Sequence, residues 1–187
     1  MRKLEIGPGR KHRKGYETVG MEYSDVKWDV SKPLPFDDET YDMILASHVI
    51  EHIEWYRTQA VIRDWTRILK VGGELELWTP DFGLIIDIVA HAENGEKITP
   101  AETEAHGKWM KSHNKDRDPF IWANFRIFSI DSDATAIKYN RTHHSMFTQR
   151  HLTNQMEKAG LKDVRRLSCT PPYNHGWTNM GLIGVKS

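Results

Sequence analysis

The stretch LEIGPGRKHRKGYETVGMEY, Leu4 to Tyr23, sets a Gly-Pro-Gly turn between two apolar runs and closes on an acid, Glu22. Lys3 to Ile6 reads as a short buried strand that enters a tight turn at Gly7, Pro8 and Gly9. Thr18 to Met21 reads as a second strand. In an open parallel sheet, ligands sit beyond the carboxyl ends of the strands, and the turn after the first strand approaches them most closely. A side chain at Gly7 or Gly9 would hold the backbone away from a bound nucleoside. Glu22, thirteen residues after Gly9, is placed to accept hydrogen bonds from both hydroxyls of a ribose. The stretch therefore predicts a nucleoside-containing cofactor.

Working outward, YDMILA (Tyr41 to Ala46) is a third buried run, preceded by the proline-broken loop SKPLPFDDET. From Thr58 onward, Val61, Ile62, Trp65, Ile68 and Leu69 follow helical spacing, with Lys70, Gly72 and Gly73 as a cationic last turn and stop. ELELW, Glu74 to Trp78, alternates as a strand and ends at Thr79, Pro80 and Asp81. Strands separated by helical or loop crossovers imply a parallel sheet, since a parallel neighbour is reached only by a long return across one face. After Asp81 the pattern changes. LIIDIVAHA and TPAETEAHGKWMKSH look helical, the second capped by Thr99 with Pro100 in its first turn. We expect residues 84–144 to be an insertion or lid within a single domain spanning 1–187, because the insertion is too short for a core of its own. The pattern resumes at Thr148, which can cap a helix carrying Leu152, Met156 and Ala159 and stopped by Gly160. Candidate strands follow at Val164 to Cys169 and Met180 to Val185.

Composition narrows the partners. The 187 residues carry 26 basic and 26 acidic side chains, so no global charge favours a nucleic acid or an anionic membrane. Cys169 is the lone thiol, which removes any internal disulfide and makes the cytoplasm the default compartment. No apolar run approaches the roughly 20 residues that span a bilayer. An oligomer stays open.

LEIGPG, the acid of VGMEY, WDVSKPLPF, YDMILASHVIEHI and RILKVGGELELWTPD stand in the order and spacing of class I S-adenosylmethionine-dependent methyltransferases, which the chain resembles. It is similar to bacterial and phage members often associated with glycan biosynthesis, in which a short GY loop replaces the usual first helix. The later HHSMFTQRHLTNQMEKAGLKDV also resembles their histidine, FT, helix and AG segment. The resemblance implies a Rossmann-like α/β fold, shortened at the amino end and with a helical insertion after the fourth strand. It also implies S-adenosylmethionine as methyl donor and S-adenosylhomocysteine as product. Glu5, Ile6, Gly7, Pro8 and Gly9 would cradle the methionine end; Glu22 would hold the ribose; Tyr23 would pack near the adenine. Asp29 and Val30 would read the adenine edge, while Ser47 and His48 would close the pocket. Two departures stand out. Lys11 replaces the third glycine often found in the first motif, and no helix precedes the first strand, so the insertion or a partner subunit would cover the cofactor.

The imidazole pair His143 and His144 precedes the late helix, and either could take a proton from an acceptor hydroxyl; Asp81 is a second candidate base on the same rim. HVIEH places His48, Glu51 and His52 at helical i, i+3, i+4 spacing, a face able to hold a divalent metal. It matches the H-x-x-E-H of one zinc peptidase class and is similar to the E-x-x-E-H of metal-dependent small-RNA 2′-O-methyltransferases. The simpler reading has the pair only lining the pocket, with no metal. RKHRK, Arg10 to Lys14, reads as a solvated loop or as a guide for a phosphate-bearing acceptor. TPPY, Thr170 to Tyr173, resembles the Pro-Pro-aromatic loop of base-directed amino methyltransferases but falls late in the chain, where a stiff loop is the better reading. A dinucleotide-binding dehydrogenase wants G-x-G-x-x-G opening a helix, and His12 stands at the third glycine. The expected activity is methyl transfer to a small-molecule or glycan-linked acceptor, at oxygen. The alternatives are a nucleic-acid methyltransferase and a non-catalytic cofactor-binding module.

Overall fold

A computed structural model describes residues 1–10, 12–98, 114–128, 142–168 and 178–187. Its strands are β1 (Lys3–Ile6), β2 (Glu17–Gly20), β3 (Val26–Lys27), β4 (Tyr41–Ser47), β5 (Leu69–Pro80), β6 (Leu161–Leu167) and β7 (Asn179–Lys186). The helices among the described residues are α1 (Thr58–Arg67), α2 (Phe82–Glu93), α3 (Pro119–Phe128) and α4 (Gln149–Lys158), with a single 3₁₀ turn at Ile50–His52. The strands form one seven-stranded sheet in the order β3-β2-β1-β4-β5-β7-β6. β1 pairs in parallel with β2 on one side and β4 on the other, Ile6 standing opposite both Val19 and Ala46. The strand order thus reverses at β1, and the crevice above its carboxyl end is where such sheets bind ligands.

Period-two alternation sends Leu4, Ile6, Ile44, Ala46, Leu75 and Leu77 to one face, where all are buried in the main core. α1 covers that face with Val61, Ile62 and Trp65, and α4 covers it with Leu152 and Met156. The two helices are pinned together by Thr58 Oγ1, which donates to Gln155 Oε1 at 2.9 Å. Thr148 caps α4 by accepting from the His151 amide, as its position predicts. On the opposite face, the loop after β1 replaces a helix. Arg13 lies on the sheet there: its amide donates to Glu5 Oε2 at 2.7 Å and its guanidinium to Glu76 Oε1 at 3.2 Å. Trp78 Nε1 donates to the same Glu76 oxygen at 2.6 Å. The basic run is therefore anchored at Arg13 by two buried strand acids rather than wholly solvated.

Several expectations need correction. α1 ends at Arg67 with Ile68 as its C-cap, so Lys70, Gly72 and Gly73 do not stop it. They bulge within β5 instead: Tyr41 pairs with Leu69 and Met43 already with Glu74. Gly72 sits at φ +80°, and a Cβ on Gly73 would lie 2.9 Å from the Lys70 carbonyl, which is why the bulge holds two glycines. The two-residue strand β3 carries too little pattern to be seen in sequence, and it makes the strand before the insertion the fifth rather than the fourth. The sheet is mixed, since β7 runs antiparallel to both β5 and β6. HVIEH is not one helix: only Ile50–His52 form the 3₁₀ turn, and His48 stands before it at φ 54°. Within the expected insertion, α2 and α3 bury Phe82, Ile85, Ile88, Trp122 and Ala123 against each other in a second small core. The helix expected from Thr99 and the TPPY loop lie outside the described residues.

Candidate active site

A cavity of about 480 Å³ opens above the carboxyl ends of β1, β2 and β4. One wall is the turn after β1. Gly7 takes φ +63°, a left-handed conformation that a side chain disfavours, and a Cβ there would lie 2.5 Å from Val49 Cγ2. The Gly7 amide donates to the Val19 carbonyl at 2.8 Å, tying the turn to β2. Gly20, at the end of β2, lets the two turns close: its Cβ would meet Pro8 Cδ at 3.2 Å and the Gly7 backbone at 3.3 Å. A Cβ on Gly9 would meet no described protein atom within 4 Å, although Gly9 lines the cavity. Its bareness leaves room for a ligand, whereas that of Gly7 serves the fold.

Pro8, Glu22, Tyr23, Val30 and His48, the residues proposed from sequence to contact the cofactor, also line the cavity. Tyr23 holds φ 52°, and its hydroxyl accepts from Arg10 Nε at 3.1 Å, so these two side chains form the outer edge. Glu5 and Ile6 are buried in β1 behind the wall, and Ser47 ends β4; none of the three lines the cavity. Asp29 lines a neighbouring hollow with Trp28, and its Oδ1 accepts from the Ser31 amide and hydroxyl at 3.0 and 2.7 Å. Sequence reasoning missed Arg10, Gly20, Met21 and Val49 in the wall. Gly20, two residues before the acid, was the legible signal, because a strand-ending glycine beside a Gly-Pro-Gly turn marks a close backbone approach.

The opposite wall is built of imidazoles. His48 and His52 face the cavity, and Glu51 lies beneath them with no solvent exposure. His48 Nδ1 donates to Glu51 Oε1 at 2.8 Å. Glu51 Oε2 is buried and has no hydrogen-bond partner among the described residues. Burial pushes the Glu51 carboxyl up, but the hydrogen bond and charge of His48, with His52, outweigh it and hold the group below the usual carboxylate range. The His143 ring packs edge-on against His52, 5.0 Å between centroids, and its Nδ1 donates to the Arg126 carbonyl at 3.1 Å. Burial lowers its pKa to about 4 despite the opposing field of Glu51, so this imidazole is neutral at neutral pH. The chain reaches Glu51 here through two further bonds, from the His144 and Ser145 amides to the Glu51 carbonyl.

The candidate bases are thus dispersed. None of His143, His144 or Asp81 is among the residues lining the cavity. His144 is exposed, with its Nε2 3.0 Å from Thr142 Oγ1. Asp81 is 6% exposed, caps α2 by accepting from the Leu84 amide and pairs with Arg166 Nη2 at 2.8 Å.

A switch-point crevice walled by a bare glycine turn, with an acid at the end of the neighbouring strand, suits an adenosyl ligand, and the sheet order with its antiparallel seventh strand is that of class I S-adenosylmethionine-dependent methyltransferases. The family model for a methyltransferase domain matches residues 1–166, and the chain belongs to that family. Solved structures agree on the fold. A SAM-dependent methyltransferase from Thermotoga maritima, described as a "possible histamine N-methyltransferase", is 19% identical with TM-score 0.52, over 100% of this chain and 82% of its own. The CMeT domain of the citrinin polyketide synthase is 15% identical with TM-score 0.56, over 100% of this chain and 46% of that one. The YcgJ protein of Bacillus subtilis is 14% identical with TM-score 0.51, over 99% of this chain and 91% of its own. No curated protein sequence matches the chain. The protein is an S-adenosylmethionine-dependent methyltransferase, with a Rossmann-like sheet. Among the described residues no helix is long and apolar enough to cross a membrane.

Proposed function

We propose that the chain methylates an oxygen of a small-molecule or glycan-linked acceptor. The observation that carries this reading is the pair of imidazoles, His48 and His52, on the cavity wall across from the glycine turn. When bound, S-adenosylmethionine supplies an electrophilic methyl group on its sulfonium. Gly7, Pro8 and Gly9 hold its methionine end by backbone approach, and the Glu22 carboxylate accepts from the ribose hydroxyls. Val30 packs on the adenine, and the Arg10–Tyr23 contact screens the outer edge from water. An acceptor hydroxyl becomes a better nucleophile as it loses its proton, and a neutral imidazole is the side chain suited to accept that proton near pH 7. His48 carries its Nδ1 proton toward Glu51 Oε1 at 2.8 Å, so its Nε2 is the nitrogen that can accept the proton. Positioning supplies much of the remaining advantage, because donor and acceptor are held together in one cavity.

A small or saccharide acceptor is favoured over a nucleic acid because the chain is electrically balanced and two of its loop arginines are committed, Arg13 to Glu76 and Arg10 to Tyr23. The exposed rings of Trp55 and Tyr56, three and four residues after His52, offer an apolar face of the kind that sugars stack on. Labelled S-adenosylmethionine incubated with separate pools of nucleotide sugars, glycans, RNA and DNA tests the reading. Label in the sugar or glycan pools is expected, and label confined to RNA or DNA would overturn it.

A further inference from the structure

We propose that Glu51, His52 and His143 form a binding site for a divalent transition-metal ion at the edge of the cofactor cavity. One ligating atom from each of the three lies within 4.8 Å of the other two. A tetrahedron built on bonds of about 2.1 Å has edges of roughly 3.4 Å, so modest side-chain rotation closes the set around an ion. The independent sign of a ligand is Glu51 Oε2, a fully buried carboxylate oxygen without a hydrogen-bond partner among the described residues. Leaving such an oxygen unsatisfied costs several kcal/mol in a dry interior, and a cation is the partner that best repays it.

The surroundings are those of a ligand set. Glu51 Oε1 is already fixed by the His48 Nδ1 proton, which points Oε2 away as the ligating atom. Both other imidazoles spend Nδ1 on a backbone carbonyl, His52 on Thr142 and His143 on Arg126. A carbonyl only accepts, so both Nδ1 atoms carry the proton and both Nε2 atoms keep a lone pair. Metal-bound histidines are oriented in this way by their second nitrogen. Two imidazole nitrogens and one carboxylate oxygen suit Zn²⁺, Mn²⁺, Fe²⁺ or Co²⁺ better than Ca²⁺ or Mg²⁺, which prefer all-oxygen shells. Three protein ligands leave a coordination position for an oxygen of an acceptor, and His52 belongs both to this set and to the cavity wall. The competing role for the Glu51 charge is to offset Arg126, whose buried guanidinium it influences electrostatically and whose Nη2 donates to Asn179 Oδ1 at 2.8 Å.

The untagged full chain, stripped with chelator, is titrated with Zn²⁺ and Mn²⁺ by calorimetry and with Co²⁺ by visible absorption. One equivalent is expected to bind with ligand-field bands for Co²⁺, and Glu51→Gln and His143→Gln are each expected to weaken binding at least about tenfold. Absence of a stoichiometric site in the unaltered protein would overturn the proposal, as would unchanged affinity in both variants; either would leave Glu51 as the counter-charge of Arg126. A thermal shift with S-adenosylhomocysteine, recorded on the same samples, reports folding and cofactor binding independently of the metal, so loss of one result does not imply loss of the other.

Discussion

The two walls of the cavity work by opposite means. The glycine wall, Gly7 to Gly9 with Gly20, acts through what its residues lack: no Cβ obstructs the backbone, and turn geometry does the positioning. The imidazole wall, His48, Glu51 and His52 with His143 beside it, acts through crowded polar atoms whose buried carboxylate leaves one oxygen unmatched among the described residues. One wall is made by backbone conformation over a few consecutive residues. The other needs two segments some ninety residues apart, joined by the His144 and Ser145 amides on the Glu51 carbonyl.

Substitutions separate the walls, and the largest effect belongs to the first. Gly7→Ala places a methyl group in a left-handed backbone and against Val49, and is expected to cost about 3 kcal/mol of stability in denaturant titration. A wild-type midpoint would show that the turn is not held as described. Asp81→Ala removes a helix cap and the ion pair with Arg166, for a loss of about 1.5 kcal/mol. Because Asp81 stands off the cavity wall, turnover per folded molecule should stay near wild type; a collapse of turnover in well-folded protein would return Asp81 to the chemistry. Gly20→Ala narrows the approach to Pro8 and Gly7 by a few tenths of an ångström and should cost about 1 kcal/mol in thermal unfolding. Gly9→Ala is the sharpest contrast with Gly7→Ala. It meets no described protein atom, so stability should hold or rise by up to about 0.5 kcal/mol, while affinity for S-adenosylhomocysteine falls. Equal affinity in that variant would remove Gly9 from the ligand's path.

The same contrast sets what could be read in the sequence. The first wall was legible because its signals are local: a Gly-Pro-Gly turn after an apolar run, and an acid at the end of the next. β1, β2, β4, α1 and α4 were legible for the same reason, each having one dominant period over its own length. β3 was not, because two residues have no period, and the Gly72–Gly73 bulge was mistaken for a helix stop because glycine marks both. The antiparallel turn of β7 depends on tertiary closure of the sheet rather than on any residue within the strand. The second wall was seen in part. His48, Glu51 and His52 were picked out by spacing, yet the 3₁₀ turn breaks the assumed helix, and His143 was assigned to proton transfer without any local sign that it packs on His52.

The central claim is that the glycine-walled cavity, with Glu22 at its rim, is the S-adenosylmethionine site. Calorimetric titration of the full chain and of Glu22→Ala with S-adenosylhomocysteine tests it most directly. The account predicts a single site in the unaltered protein and an affinity weaker by about 1.5 to 3 kcal/mol in the variant, the worth of hydrogen bonds to a charged group. Identical affinities in the two proteins, or no binding heat and no thermal shift in either, would contradict it.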